Sequence, residues 1–344
     1  MTSGLNMRST SVNYIKPYRP MLLRFLNSSA PHVYNFSLDF DNLLKASQKA
    51  EGINFAGELQ FEEPLKVLLK SIEKEAELNW FGKFITRQRL INLLRNRLRI
   101  EKLVLEHPEI LDIELLPPLL ITGLQRTGTT MLHRLLDGDP LNRALISYEA
   151  LNPGPLHDDP GVDLKKKLKL AKTAQKALNY IAPDFFAVHP VEADSPEEDV
   201  LLLDYAFLST VAESTMNVPS YAAYVEKCDN APAYRYMHLL LKVLSWQQSN
   251  GGNVSNKRWV LKSPHHLEFL DTFLNEFKDA AVIMPHRDPN ATLPSFCSMI
   301  AHGHGIFSDH VNPSNIGAHW LRKTSRMLEK GLETRNRRTD TTFI

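Results

Sequence analysis

Apolar positions in the first third of the chain recur at helical spacing. From residue 38 to about 107, Leu43, Leu44, Ala50, Leu65, Leu68, Leu69 and Ile72, then Leu90, Leu93, Leu94, Leu98, Leu103 and Leu105, follow a 3.6-residue repeat. This predicts two or three amphipathic helices, with Ser37 and Asp39 placed to cap the first and Pro108 to close the last. Upstream, residues 1–37 are mostly polar and interrupted by Pro17 and Pro20, the pattern of a loose arm.

The pattern changes at Leu115. After Pro117-Pro118, the run 119–122 reads as a short buried strand, 123–129 as a glycine-bearing loop, and 130–136 as a helix. A second unit follows, with strands at 259–261 and 280–284 and helices at 266–277 and 292–300. Between the two units, 164–181 and 197–213 have helical periodicity. The expected fold is α/β: a P-loop-like parallel sheet flanked by helices, with an α-helical N-terminal layer. The layer (38–114) and the core (115–344) are expected to form one compact unit.

Composition narrows the class without choosing a function. The chain has 344 residues, 43% hydrophobic and 23% charged, ordinary for a soluble protein able to bury a core. A net charge of +1 and the lack of a reader motif argue against nucleic acid, so any anion must be held locally. Cys228 and Cys297 are too few for a disulfide framework or a four-ligand zinc site, and the thirteen histidines form no metal-ligand pattern. The N-terminal segment lacks the arrangement of a secretory signal, and the longest apolar run, 115–124, is proline-interrupted and too short to span a bilayer. The expectation is a cytoplasmic protein that uses no metal.

Candidate chemistry begins at the loop. Gly123 and Gly128 have the GxxxxG spacing of a P-loop, but Thr129 stands where its lysine belongs. Glycines let backbone N–H groups converge, and the following helix start attracts an anion. Arg126 adds a fixed charge, and Thr127, Thr129 and Thr130 add hydroxyl donors. An ATP or GTP hydrolase would need the missing lysine and an acidic magnesium holder, and the sequence offers neither. The plain alternative is a strand-to-helix turn without a ligand.

The segment from Thr122 to Leu136, with Gly123, Arg126, Thr127, Gly128, Thr129 and Thr130, resembles the 5′-phosphosulfate loop of the sulfotransferase family. The match is to the bacterial-type G-x-x-R-[ST]-G-T-T branch. Arg287, in the run His286-Arg287-Asp288-Pro289, and Ser295 eight residues on match the family's holder of a donor 3′-phosphate. Blocks around Tyr148-Glu149, His189-Pro190, 194–198 and 261–267 are similar to the same branch, so the resemblance covers roughly 38–344. It implies a sulfotransferase using 3′-phosphoadenosine 5′-phosphosulfate as cosubstrate, without metal, and a hydroxyl acceptor that is a small molecule, lipid or carbohydrate. The rival functions are a P-loop nucleotide kinase or hydrolase, and a truncated, non-catalytic nucleotide-binding relative.

Sulfuryl transfer needs a base, and the sequence leaves it open. Lys262 followed by Ser263, Pro264, His265 and His266 resembles the K-T-H segment of cytosolic sulfotransferases, which implies Lys262 near the leaving oxygen and His266 as base. Pro264 departs from that pattern, so His265 or neither remains open; Glu149 is the main rival, and another group is not excluded. Ser195-Pro196-Glu197-Glu198 reads first as a helix start, with an acceptor-pocket role for its carboxylates or for His189 as the sharper reading. The lysines of 165–176 read as a solvated face, or as a lid over an acidic or membrane-borne acceptor; peripheral membrane contact is compatible with either. Tyr221, Tyr224, Tyr234, Tyr236 and Trp246 read as core and pocket wall. Family members normally continue with another strand, an acidic segment and C-terminal helices, so an incomplete sheet edge is expected after Ile344.

Overall fold

A computed structural model describes residues 17–29, 37–57, 59–249, 251 and 256–344. Part of the arm expected to be loose is tied down. Residues Met21–Ser29 form helix α1, and Arg19 is buried, bonding the Ser308 carbonyl at 2.8 Å and Asp309 at 2.6 Å. Residues 1–16 and 30–36 lie outside the described residues.

The N-terminal layer holds α2 (Phe40–Glu51), α3 (Glu62–Glu75) and α4 (Trp80–Glu106). Asp39 caps α2 by accepting from the Asn42 amide, while the Ser37 hydroxyl donates to Asp39 rather than to the helix. Gly52 ends α2 with a left-handed φ of 68°, a conformation glycine adopts without the steric cost of a Cβ. Leu43, Leu65, Leu94 and Leu98 are fully buried, as their spacing predicts. A 3₁₀ turn over Pro108–Asp112 follows α4, since proline cannot donate the next helical bond.

The sheet consists of β1 (Leu119–Ile121), β2 (Asn142–Ala144), β3 (Arg258–Lys262), β4 (Ala281–Ile283) and β5 (Thr342–Phe343). All pairs are parallel, in the order β2-β3-β1-β4-β5. Leu119 is in register with Val260 on one side and Ala281 on the other. Leu120, Leu261 and Val282 are fully buried, as aliphatic strands covered by helices on both faces must be. From β1 the chain runs to β2 on one side, whereas from β3 it crosses β1 to reach β4. The connections therefore diverge at the C-terminal strand ends, where open parallel sheets hold ligands.

The helices of the core are α5 (Thr129–Asp137), α6 (Ser147–Leu151), α7 (Pro160–Ile181), α8 (Pro183–Val188), α9 (Val200–Leu203), α10 (Val211–Thr215), α11 (Pro219–Val225), α12 (Ala231–Gln248), α13 (Leu270–Glu276), α14 (Pro289–Phe307) and α15 (Pro313–Arg337). Two sequence expectations are corrected here. The continuous helix expected over 197–213 is broken: α9 passes into a 3₁₀ turn, Phe207 adopts a left-handed φ of 54°, and α10 restarts beyond it. Buried Asp204 takes the Ser209 hydroxyl at 2.8 Å and the Arg89 guanidinium, and Tyr221 donates to the Phe207 carbonyl. These tertiary bonds outweigh local periodicity. Ser195 caps no helix; its hydroxyl donates to Glu192. At the sheet edge, β5 pairs with β4, and the Ile344 amide bonds the Val282 carbonyl at 2.8 Å.

Candidate active site

The loop from Gly123 to Gly128 joins β1 to α5 at the strand ends. Its glycines have separate jobs. A Cβ on Gly123 would lie 2.6 Å from the Pro285 carbonyl oxygen, so only glycine permits that approach to the strand β4 exit. Gly128 has φ 88° and opens α5. Arg126 also has a left-handed φ, 68°, uncommon for a side chain of that size and of the kind found at functional loops. Thr127 donates to the Leu124 carbonyl at 2.7 Å and Thr122 to the Ser263 carbonyl at 2.9 Å, fastening the loop base to the end of β3.

The two anion motifs, 161 residues apart in sequence, touch. Arg287 donates to the Arg126 carbonyl at 3.2 Å, and the Arg126 Nε donates to the Ser295 hydroxyl at 3.3 Å. Arg126, Gly128, Thr129, Thr130, Arg287 and Ser295 line one open cavity of about 910 Å³, with Met131, Arg134 and Leu135 of α5 on its wall. Arg126 and Arg287 are exposed and have no carboxylate partner among the described residues, whereas Arg134 is paired with Glu192 at 2.5 Å.

The end of α8 meets this loop. Arg126 reaches the Val188 carbonyl at 3.4 Å. Further along, the Glu197 amide bonds the Leu145 carbonyl beyond β2, and Glu198 pairs with Lys262 at 2.7 Å. Lys262 is 3% exposed at the end of β3, in register with Ile121 at the end of β1. Glu197 accepts from the Glu198 amide at 2.9 Å, and burial pushes its carboxyl above the usual carboxylate range despite that bond and the attraction of Lys262. His189 also acts on this carboxylate electrostatically.

The other candidates for proton transfer are bonded to other groups or, in the case of the His265 ring, buried without a hydrogen-bond partner among the described residues. His266 is fully buried, with Nδ1 2.9 Å from the Tyr234 hydroxyl and Nε2 2.8 Å from Asp199. His265 is 2% exposed against Phe269, and burial holds its pKa well below the ordinary value. Glu149 takes Arg143 at 2.7 Å on one oxygen and the Ile146 amide at 3.1 Å on the other, and it lines a different cavity, beside Lys167 and Trp246. The loop, Arg287 and Ser295 are thus brought together, Lys262 stands at the neighbouring strand end, and His266 and Glu149 are held by other partners. Glu197 had ranked behind them in the sequence. Its one signal was the Pro196-Glu197-Glu198 run after a polar stretch, which reads equally well as a helix start.

A model of the sulfotransferase family matches residues 117–339, covering both anion motifs and β3. The chain belongs to the sulfotransferase family. Among solved structures, this sulfotransferase is similar to the sulfotransferase STF1 from Mycobacterium tuberculosis H37Rv, with 28% identity, a TM-score of 0.74, and coverage of 89% of this chain and 83% of that one. It shares the fold of the sulfotransferase STF9 from Mycobacterium avium, with 23% identity, a TM-score of 0.78, and coverage of 90% and 79%. No curated protein matches it. Among the described residues no helix is long and apolar enough to cross a membrane.

Proposed function

We propose that the protein transfers the sulfuryl group of 3′-phosphoadenosine 5′-phosphosulfate to a hydroxyl of a small or lipid-like acceptor. One observation supports this reading: the glycine loop and the Arg287–Ser295 pair open into a single cavity whose two guanidinium groups have no carboxylate partner among the described residues. A donor with phosphate on both the 3′ and 5′ positions of its ribose needs two anion holders facing one cavity. In this reading the loop amides, Arg126, Thr129 and Thr130 hold the 5′-phosphosulfate, and Arg287 with Ser295 holds the 3′-phosphate. Met131 and Leu135, exposed on successive turns of α5, offer the nucleoside an apolar wall.

The acceptor oxygen attacks sulfur in line with the departing phosphate. A new S–O bond forms as the bond from sulfur to the bridging oxygen breaks, and the electron pair leaves on the 5′-phosphate of 3′,5′-adenosine bisphosphate. Arg126 and Lys262 stabilise that charge. The acceptor proton passes to Glu197, whose desolvation makes it a stronger base than an exposed carboxylate. His266 instead locks the turn after β3 through Tyr234 and Asp199, and Glu149 braces Arg143 of β2.

Calorimetric titration with 3′,5′-adenosine bisphosphate, 5′-AMP and magnesium-ATP tests the donor assignment. Strong preference for the bisphosphate is expected. Preference for magnesium-ATP would replace this reading by a nucleotide kinase or hydrolase, and bisphosphate binding without transfer to any hydroxyl would leave a non-catalytic binding protein.

A further inference from the structure

Helix α7 is the least embedded long helix of the core. Of its 22 residues, only Asp163, Lys167 and Ala171 are buried. Lys167 spends its charge inward, on Asp163 at 3.0 Å and Gln247 at 2.8 Å. The remaining lysines, Lys165, Lys166, Lys169, Lys172 and Lys176, are exposed. Four of them, Lys165, Lys169, Lys172 and Lys176, recur at helical spacing and form one stripe along the axis. The facing carboxylates are few. Asp194 approaches Lys172 at 3.8 Å, Asp159 is occupied as the helix cap, and Asp158 precedes the cap. Lys166 and Lys169 also border a cavity whose Glu51 is already held by Arg95 and Arg99.

Charge is half of the pattern. Beside the lysine stripe, Val162 and Tyr180 are 37% and 58% exposed, while Leu164 and Leu170, 43% and 51% exposed, lie further round towards the buried face. A purely solvated helix face has no use for large apolar groups in this position. Basic residues flanking exposed apolar ones along about 33 Å of helix match the interface of an anionic bilayer, where apolar side chains enter the headgroup boundary and lysines meet lipid phosphates.

We propose that α7 is a docking helix that lays the protein on an anionic membrane surface. The exposed stripe runs the length of the helix, which fits an extended plane better than a compact partner. Its cations are all lysine, point charges suited to a diffuse layer of phosphates, and not the arginine forks that mark specific phosphate recognition. One exposed tyrosine gives no stacking platform for nucleic-acid bases. Docking has a geometric consequence. Gln175 of α7 accepts from the Ala193 amide, and α7 leads directly into α8, whose last residue Val188 bonds Arg126. A surface-bound α7 fixes the strand-end cavity relative to the lipid layer. The docking itself does not depend on which donor the cavity takes.

Vesicle flotation tests it, with phosphatidylcholine alone and with phosphatidylcholine mixed with phosphatidylglycerol, at low and high salt. Wild type is expected to float only with the anionic vesicles and to be released by salt. Each Lys→Gln change at 165, 169, 172 and 176 is expected to weaken binding about fivefold, with far-UV circular dichroism unchanged because the side chains are exposed. Tyr180→Trp gives a second measurement: its fluorescence is expected to shift to shorter wavelength on anionic vesicles. Failure of wild type to bind anionic vesicles at low salt overturns the proposal. So does equal binding by the quadruple lysine variant, or capture by polyglutamate or RNA without capture by vesicles.

Discussion

Two regions of this sulfotransferase gather positive charge and treat it in opposite ways. In the strand-end cavity, Arg126 and Arg287 face open space and, among the described residues, bond only a hydroxyl and main-chain carbonyls. Under α15, Lys323 is fully buried and meets Glu213 at 3.2 Å, Glu226 at 3.1 Å and Glu268 at 2.8 Å. Arg322 and Arg326 complete that cluster on Glu226 and Glu268, and His319 bonds Glu213. The buried cluster satisfies itself and anchors α15 to α10, α11 and the turn after β3. The cavity is left unsatisfied by the protein, so its charge is available to an anion from outside. Residue type does not separate the two; the partners do.

If Glu197 is the base as proposed, its replacement should give the largest effect. Glu197→Gln is expected to lower kcat by about 10²–10⁴ while leaving bisphosphate affinity nearly unchanged. His266→Ala and Glu149→Ala would instead act through stability, and a full loss of turnover in either folded variant would return the base to that residue. Next comes the buried cluster. Lys323→Ala leaves three carboxylates without their shared cation and should cost about 3–5 kcal/mol in urea unfolding. A loss below about 1 kcal/mol would mean the cluster is not the clamp it appears from its geometry.

Arg287→Ala is the matching change in the cavity, and it should invert that result. Bisphosphate affinity is expected to fall about 10–100-fold, with stability changed by no more than about 0.5 kcal/mol. Loss of stability without loss of affinity would erase the contrast between the regions. The smallest effect is on acid stability. Although burial opposes it, the bonds from Arg322 and Lys323 hold the Glu226 carboxyl down at about 2. Because the folded value is depressed, this contribution is complete above the ordinary glutamate range and is lost as pH falls towards 2. With Arg322 half exposed, the contribution should be on the order of 1 kcal/mol, and Glu226→Gln should flatten that part of the stability–pH curve.

Periodicity made much of the fold legible. Leu43, Leu65 and Leu94 had to be buried, and the aliphatic runs at β1, β3 and β4 had to be central strands. Where a tertiary bond outweighed local preference, pattern reading failed. Buried Asp204, with its Ser209 and Arg89 partners, broke the helix expected over 197–213. Residues Thr342–Phe343 carry too short a pattern to announce a strand, and β4 supplies the ladder that makes them one.

The sequence by itself determined which groups the two candidate motifs carry: a glycine loop with Arg126 in place of a lysine-bearing P-loop, and an arginine and serine eight residues apart. Those signals are local, since backbone freedom and side-chain charge belong to the residue. Only the tertiary structure decided which groups are free to act. It brought Arg287 to the Arg126 carbonyl, tied His266 to Tyr234 and Asp199, braced Glu149 on Arg143, and desolvated Glu197 beside Lys262. Availability depends on partners and burial, and those are set by segments far apart in the chain.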